Sequence, residues 1–89
     1  MKADKKKVMR YLKTAQGQME GIMRMVEDDR YCVDISNQIL AVQSLLKKAN
    51  HDILKAHING CIKDAFQQGE SESEKLDEVM RILDKYYQI

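Results

Sequence analysis

The side chains best equipped for chemistry in this sequence are Cys32, His57 and Cys61. His57 and Cys61 stand four residues apart, so on a helix they project from one face at chelating distance. Taken alone, such a pair is equally explained by a small buried thiol beside an ordinary interface histidine. Cys32 supplies a further soft donor, and two thiolates with one imidazole form a trigonal set suited to Cu(I). Structural zinc normally takes four protein ligands and nickel four or more, and residues 1–31 hold no His or Cys to complete such a set. His51 lies six positions before His57, points to a different helix face, and reads as a polar surface residue.

The elements that must position these donors are legible from apolar spacing. Val8, Leu12, Ala15, Met19, Ile22 and Val26 recur at alternating intervals of four and three, a heptad seam on one helix with Asp4 as its N-cap. Gly17 and Gly21 lie inside that helix, where glycine is unfavourable, so a close backbone approach by another helix is expected there. The polar run Glu27-Asp28-Asp29-Arg30 ends it. A second seam, Ile35, Ile39, Val42, Leu46, Ala49, Ile53, Ala56 and Gly60, widened by Leu40, Leu45, Leu54, Ile58 and Ile62, predicts one helix from about Cys32 to about Gln67. Gly69 suits the position after its end. Ser71 and Glu74 form a capping box for a short third helix carrying Leu76, Val79, Met80, Leu83 and Tyr86.

This layout decides where a metal could sit. Cys32 starts the second helix and Cys61 lies near its end, about 43 Å away at the rise of an α-helix, so the two cannot meet within one chain. If two second helices pack antiparallel about a two-fold axis, Cys32 of one reaches His57 and Cys61 of the other, giving two identical sites per dimer. The composition agrees. A chain of 89 residues with no proline and four glycines favours long helices in a single all-α domain, 1–89, and is too short to bury both faces of a helix on the order of 50 Å long. A second copy is expected to cover the remainder.

A net charge of +1 conceals a dipolar chain. Residues 1–13 carry six basic side chains against Asp4, whereas residues 66–78 carry five acidic ones against Lys75. Lys6, Arg10 and Lys13 share a helix face, and Lys47 and Lys48 give the second helix its own basic patch, so phosphate contact with DNA is expected of these residues. No apolar run is long enough for a membrane span and no apolar signal core follows the basic start, so a cytoplasmic protein with reduced thiols and no membrane partner is expected. There is no glycine-rich phosphate loop, HExxH or Ser-His-Asp order, so neither an enzyme nor a small-molecule substrate is predicted.

The stretch Gly17-Gln18-Met19-Glu20-Gly21-Ile22, the run Met25 to Ile35 through Tyr31-Cys32, the pair Gln38-Ile39 and the spacing His57-x3-Cys61 resemble the CsoR/RcnR family of bacterial metal-responsive repressors over most of the chain. The resemblance implies an all-α three-helix protomer with a long central helix. It further implies an antiparallel four-helix-bundle dimer and a homotetramer, a dimer of dimers, that binds operator DNA without a helix-turn-helix. Cys32, His57 and Cys61 fall on the ligand positions of the copper-sensing branch, and Tyr31 matches an outer tyrosine beside the first ligand. A carboxylate on the third helix matches as Glu78 if the preceding loop has one extra residue, and as Asp77 if it does not. The family's basic positions before Gly17-Gln18 are only partly kept, with Tyr11 and Thr14 where Arg or Lys is common.

The expected function is a Cu(I)-responsive repressor, holding DNA in the apo form and releasing it when Cu(I) binds. Two readings stand beside it: a persulfide or thiol sensor that links Cys32 to Cys61 between subunits, against which His57 argues, and a nickel or zinc sensor. A helical bundle with no ligand is the reading from a different class.

Overall fold

The computed structural model describes residues 1–68 and 72–86, which form three helices and no strand among the described residues: α1 Lys5–Glu27, α2 Cys32–Gln68 and α3 Glu72–Tyr86. Gly69 and Ser71, the expected stop of α2 and cap of α3, lie outside the described residues. Among the described residues no helix is long and apolar enough to cross a membrane.

Each boundary of α1 has a local cause. Asp4 caps it, its carboxylate accepting from the backbone N–H of Lys6 at 3.0 Å and of Lys7 at 3.2 Å, donors that the first turn cannot satisfy internally. At the other end the Asp29 N–H donates to the Val26 carbonyl at 3.2 Å and the Arg30 N–H to Met25 at 3.0 Å, the paired bonds of a Schellman motif. Asp29 takes the left-handed position with φ 51°, where glycine is usual. The chain then turns at once into α2, whose first backbone bond runs from the Ile35 N–H to the Tyr31 carbonyl.

The chain divides into two compact units. Asp4–Asp52 is an αα-hairpin of α1 and the first part of α2. Val8 and Ala15 from α1, and Val42 and Ala49 from α2, are its buried apolar residues, and Lys7 pairs with Asp52 at 3.4 Å. The other unit joins Met1–Ala3 to the described residues from Ile53 onward. There α3 turns Glu78, Val79, Ile82 and Leu83 inward to partial cover and leaves Leu76 and Met80 exposed.

The α1 seam divides between two faces: Val8, Ala15 and Ile22 turn inward, while Leu12, Met19 and Val26 are exposed, and Tyr11, Gln18 and Met25 take the inner places between. The same split occurs in α2, where Val42 and Ala49 are buried but Ile39 and Leu46 are exposed. A single hairpin uses one half of each heptad, because a lone partner helix covers too narrow a stripe for both. Among the described residues of this chain nothing comes within 4 Å of where a Gly17 Cβ would stand, and Gly21 meets only the Arg24 guanidinium at 3.9 Å, so the space beside both glycines is open to a helix of another copy.

Candidate metal centre

His57 is carried by α2 and meets α3: its Nε2 lies 2.8 Å from Glu78 Oε1. Both groups are half-buried, with 43% of the imidazole and 33% of the carboxylate side chain accessible, so the contact is only partly screened by water. Of the two acidic candidates Glu78 is the one within hydrogen-bond reach, and Asp77 is exposed. With the neutral ring protonated at Nε2, that N–H donates to the carboxylate and Nδ1 is the nitrogen that carries a lone pair. A carboxylate behind a histidine in this way fixes both tautomer and ring direction, the arrangement by which metal-binding histidines are held.

Cys61 follows His57 by one turn of α2, and its side chain lies outside the described residues. Cys32, the first residue of α2, presents an exposed free thiol, and the preceding Tyr31 is exposed as well. Cys32 belongs to the Asp4–Asp52 unit, and His57 and Glu78 belong to the other. Among the described residues, no three His, Cys, Asp or Glu side chains gather into a metal-holding group. The donors nonetheless fit a soft ion in type: an accessible thiol, and an imidazole already oriented by a carboxylate.

All five candidate phosphate-binding residues, Lys6, Arg10, Lys13, Lys47 and Lys48, are exposed and lie in the Asp4–Asp52 unit. The Arg10 guanidinium lies 6.0 Å from the Tyr11 ring centroid, at the limit of a cation–π contact. Two lysines that sequence reading left in the general basic end have specific partners. Lys7 pairs with Asp52 and Lys2 with Asp64. Nothing in local spacing marks either pair.

The chain matches the metal-sensitive transcriptional repressor family over residues 4–85. It is 39% identical over 83 residues to the copper-sensing transcriptional repressor CsoR of Bacillus subtilis (strain 168), covering 93% of this chain and 81% of the relative. To the copper-sensing repressor CsoR of Mycobacterium tuberculosis (strain ATCC 25618 / H37Rv) it is 42% identical over 71 residues, 80% of this chain and 60% of that longer protein. Among solved structures it resembles the copper-sensing repressor CsoR with Cu(I) from Geobacillus thermodenitrificans NG80-2, with a TM-score of 0.78, 37% identity, and 91% of this chain and 83% of that chain covered. It also resembles the nickel-responsive transcriptional regulator InrS, with a TM-score of 0.82, 28% identity, and 97% and 96% covered.

Proposed function

The chain belongs to the metal-sensitive transcriptional repressor family, a family of regulators and not of enzymes, and from that premise we propose that it is a Cu(I)-responsive repressor. In this reading a single domain binds operator DNA in the apo form and senses Cu(I) at a site made by Cys32 of one copy with His57 and Cys61 of a second. The observation that carries it is the His57–Glu78 contact. It orients an imidazole one turn before Cys61, in a chain whose other cysteine opens the same helix.

The roles follow from the residues. Cys32 and Cys61 supply the thiolates, and His57 donates through Nδ1 while Nε2 stays on Glu78. Copper(I), when bound, supplies a low-coordinate soft centre that these three donors satisfy. Tyr31, next to Cys32, reaches the His57–Glu78 pair of the second copy. The absence of any His or Cys in residues 1–31 supports copper over nickel or zinc, which would need a further ligand. Exposed Leu12, Met19, Val26, Ile39 and Leu46 support a homodimer, and the family a homotetramer of two such dimers.

Lys6, Arg10, Lys13, Lys47 and Lys48 hold operator phosphates. Release is a linkage effect: the ligand stabilises the form with lower DNA affinity, and α3 transmits the change because Glu78 ties it to His57. The test is an anaerobic Cu(I) titration of reduced protein, following thiolate-to-copper absorption together with binding to a promoter fragment. One Cu(I) per protomer with DNA release, abolished in His57→Ala, is the expected result. DNA release by a persulfide donor but not by Cu(I) would replace this reading with the thiol sensor, and release by Ni(II) alone would replace it with the nickel sensor.

A further inference from the structure

The basic face of α1 does not stop at Lys13. Lys6, Arg10, Lys13, Gly17, Gly21 and Arg24 follow one another at intervals of four, three, four, four and three, so they form one stripe along the helix, on the side away from buried Val8 and Ala15. All four cations are exposed, and among the described residues none of them forms an ion pair, whereas Lys7, on the flank toward α2, is held by Asp52. From Lys5 to Val26 the only acidic residue is Glu20. Arg24 lies back along the stripe, its guanidinium 3.9 Å from where a Cβ on Gly21 would stand, and nothing comes within 4 Å of the same place on Gly17. Glycine inside a helix weakens it relative to alanine, and no packing among the described residues accounts for either one. Cations at both ends of the bare stretch give it a chemical character that points outside the chain.

We propose that this stripe is one continuous phosphate-binding face, in which Arg24 is a further DNA-contacting residue and Gly17 and Gly21 let the duplex backbone approach the helix closely; this rests on the DNA reading above. Charge selects the partner. A second copy packing this face on its own equivalent about a two-fold axis would set cation against cation, whereas a duplex carries one negative charge for about every 1.7 Å of its axis. Lys6 and Arg24 stand about 27 Å apart along α1, so the face meets several phosphates at once. Lys13 and Arg24 alone are about 16 Å apart, so Arg24 takes a phosphate separate from those of Lys6, Arg10 and Lys13. A bulky side chain at Gly17 would stand between these two groups and hold the duplex off both. Phosphate contacts fix position and carry no sequence information, so Arg24 raises affinity for any duplex and leaves discrimination between sequences to other groups.

The test measures binding of the full, reduced, metal-free chain to a labelled promoter fragment and to a scrambled duplex of the same length, by fluorescence anisotropy over a roughly fourfold range of salt. Wild type is compared with Arg24→Gln, Arg24→Lys and Gly17→Leu, and Arg10→Gln serves as the reference for the basic face. Circular dichroism and sedimentation velocity follow fold and assembly. In Arg24→Gln the slope of log K against log salt is expected to become shallower by about 0.9 for each contacting Arg24, a difference of about 3.5-fold in affinity over the salt range, equal on both duplexes. Arg24→Lys is expected to restore the slope. Gly17→Leu is expected to keep fold and assembly and to bind both duplexes about tenfold more weakly, as for two lost phosphate contacts. An unchanged slope in Arg24→Gln, with a shallower one in Arg10→Gln, refutes the extended face and leaves the DNA reading standing. Dissociation of the assembly in Gly17→Leu would show that the glycine stretch receives a second copy, which overturns the proposal. If wild type binds neither duplex, the DNA reading falls and the extended face falls with it.

Discussion

Replacing Glu78 by glutamine separates holding the metal from reporting it. The glutamine amide keeps an oxygen that can accept from His57 Nε2 but removes the charge, and Glu78 touches the ring on the nitrogen remote from the proposed ligand atom. A hydrogen bond to a charged group is worth about 1.5–3 kcal/mol when well shielded. Here 43% of the imidazole and 33% of the carboxylate are accessible, so solvent screening reduces that to roughly 1 kcal/mol. An allosteric coupling is typically about 1–3 kcal/mol, so loss of this link removes a large share of it. The ratio of operator affinities between apo and Cu(I)-loaded protein should therefore fall about fivefold in Glu78→Gln, with one Cu(I) per protomer retained. Fluorescence anisotropy on a labelled operator, with chelator-competition measurement of Cu(I) binding, reads both quantities. An unchanged affinity ratio would refute transmission through α3, and loss of Cu(I) binding as complete as in His57→Ala would show that Glu78 builds the site itself.

Two further perturbations test the hairpin and the basic face. Asp29→Gly places the residue with no Cβ at φ 51°, in the left-handed slot of the α1 terminus, and should stabilise the protein by up to about 1 kcal/mol in urea unfolding; a destabilised variant would show that the Asp29 side chain contributes more than its backbone strain removes. Asp52 holds Lys7 at 3.4 Å through an oxygen that is buried and makes no hydrogen bond, so Asp52→Asn should release Lys7 toward operator phosphates. The slope of log K against log salt should then steepen by up to about 0.9, and an unchanged slope would exclude Lys7 from the DNA face.

What the sequence made legible was local. Asp4, the polar break at Glu27-Asp28-Asp29-Arg30 and the start of α2 at Cys32 each act through neighbours within a turn, and each stands where spacing placed it. The seam was half legible. A heptad shows that both Val8 and Leu12 are apolar, but not which of them a single partner helix covers and which remains for another surface. The choice between Asp77 and Glu78 was hidden for a similar reason. One residue of loop rotates α3 by about 100°, and only the placed helix shows which carboxylate meets His57. Lys2 with Asp64 and Lys7 with Asp52 join residues far apart in sequence, where neither periodicity nor spacing carries a signal. For Cys32 with His57 and Cys61 the sequence carries an inference of another kind: the length of helix between them is the reason the proposed site takes its donors from two copies.

That inference admits a direct measurement. Cys32→Ala and His57→Ala homo-oligomers should each fail to bind Cu(I), since each lacks a ligand in every site. Mixed in equal amounts and allowed to exchange subunits, they should regain about one quarter of the wild-type Cu(I) stoichiometry. Half of the dimers are then mixed, and each mixed dimer holds one intact site. Full failure to recover on mixing, with exchange verified by mass spectrometry, would contradict a site shared between two copies of the chain.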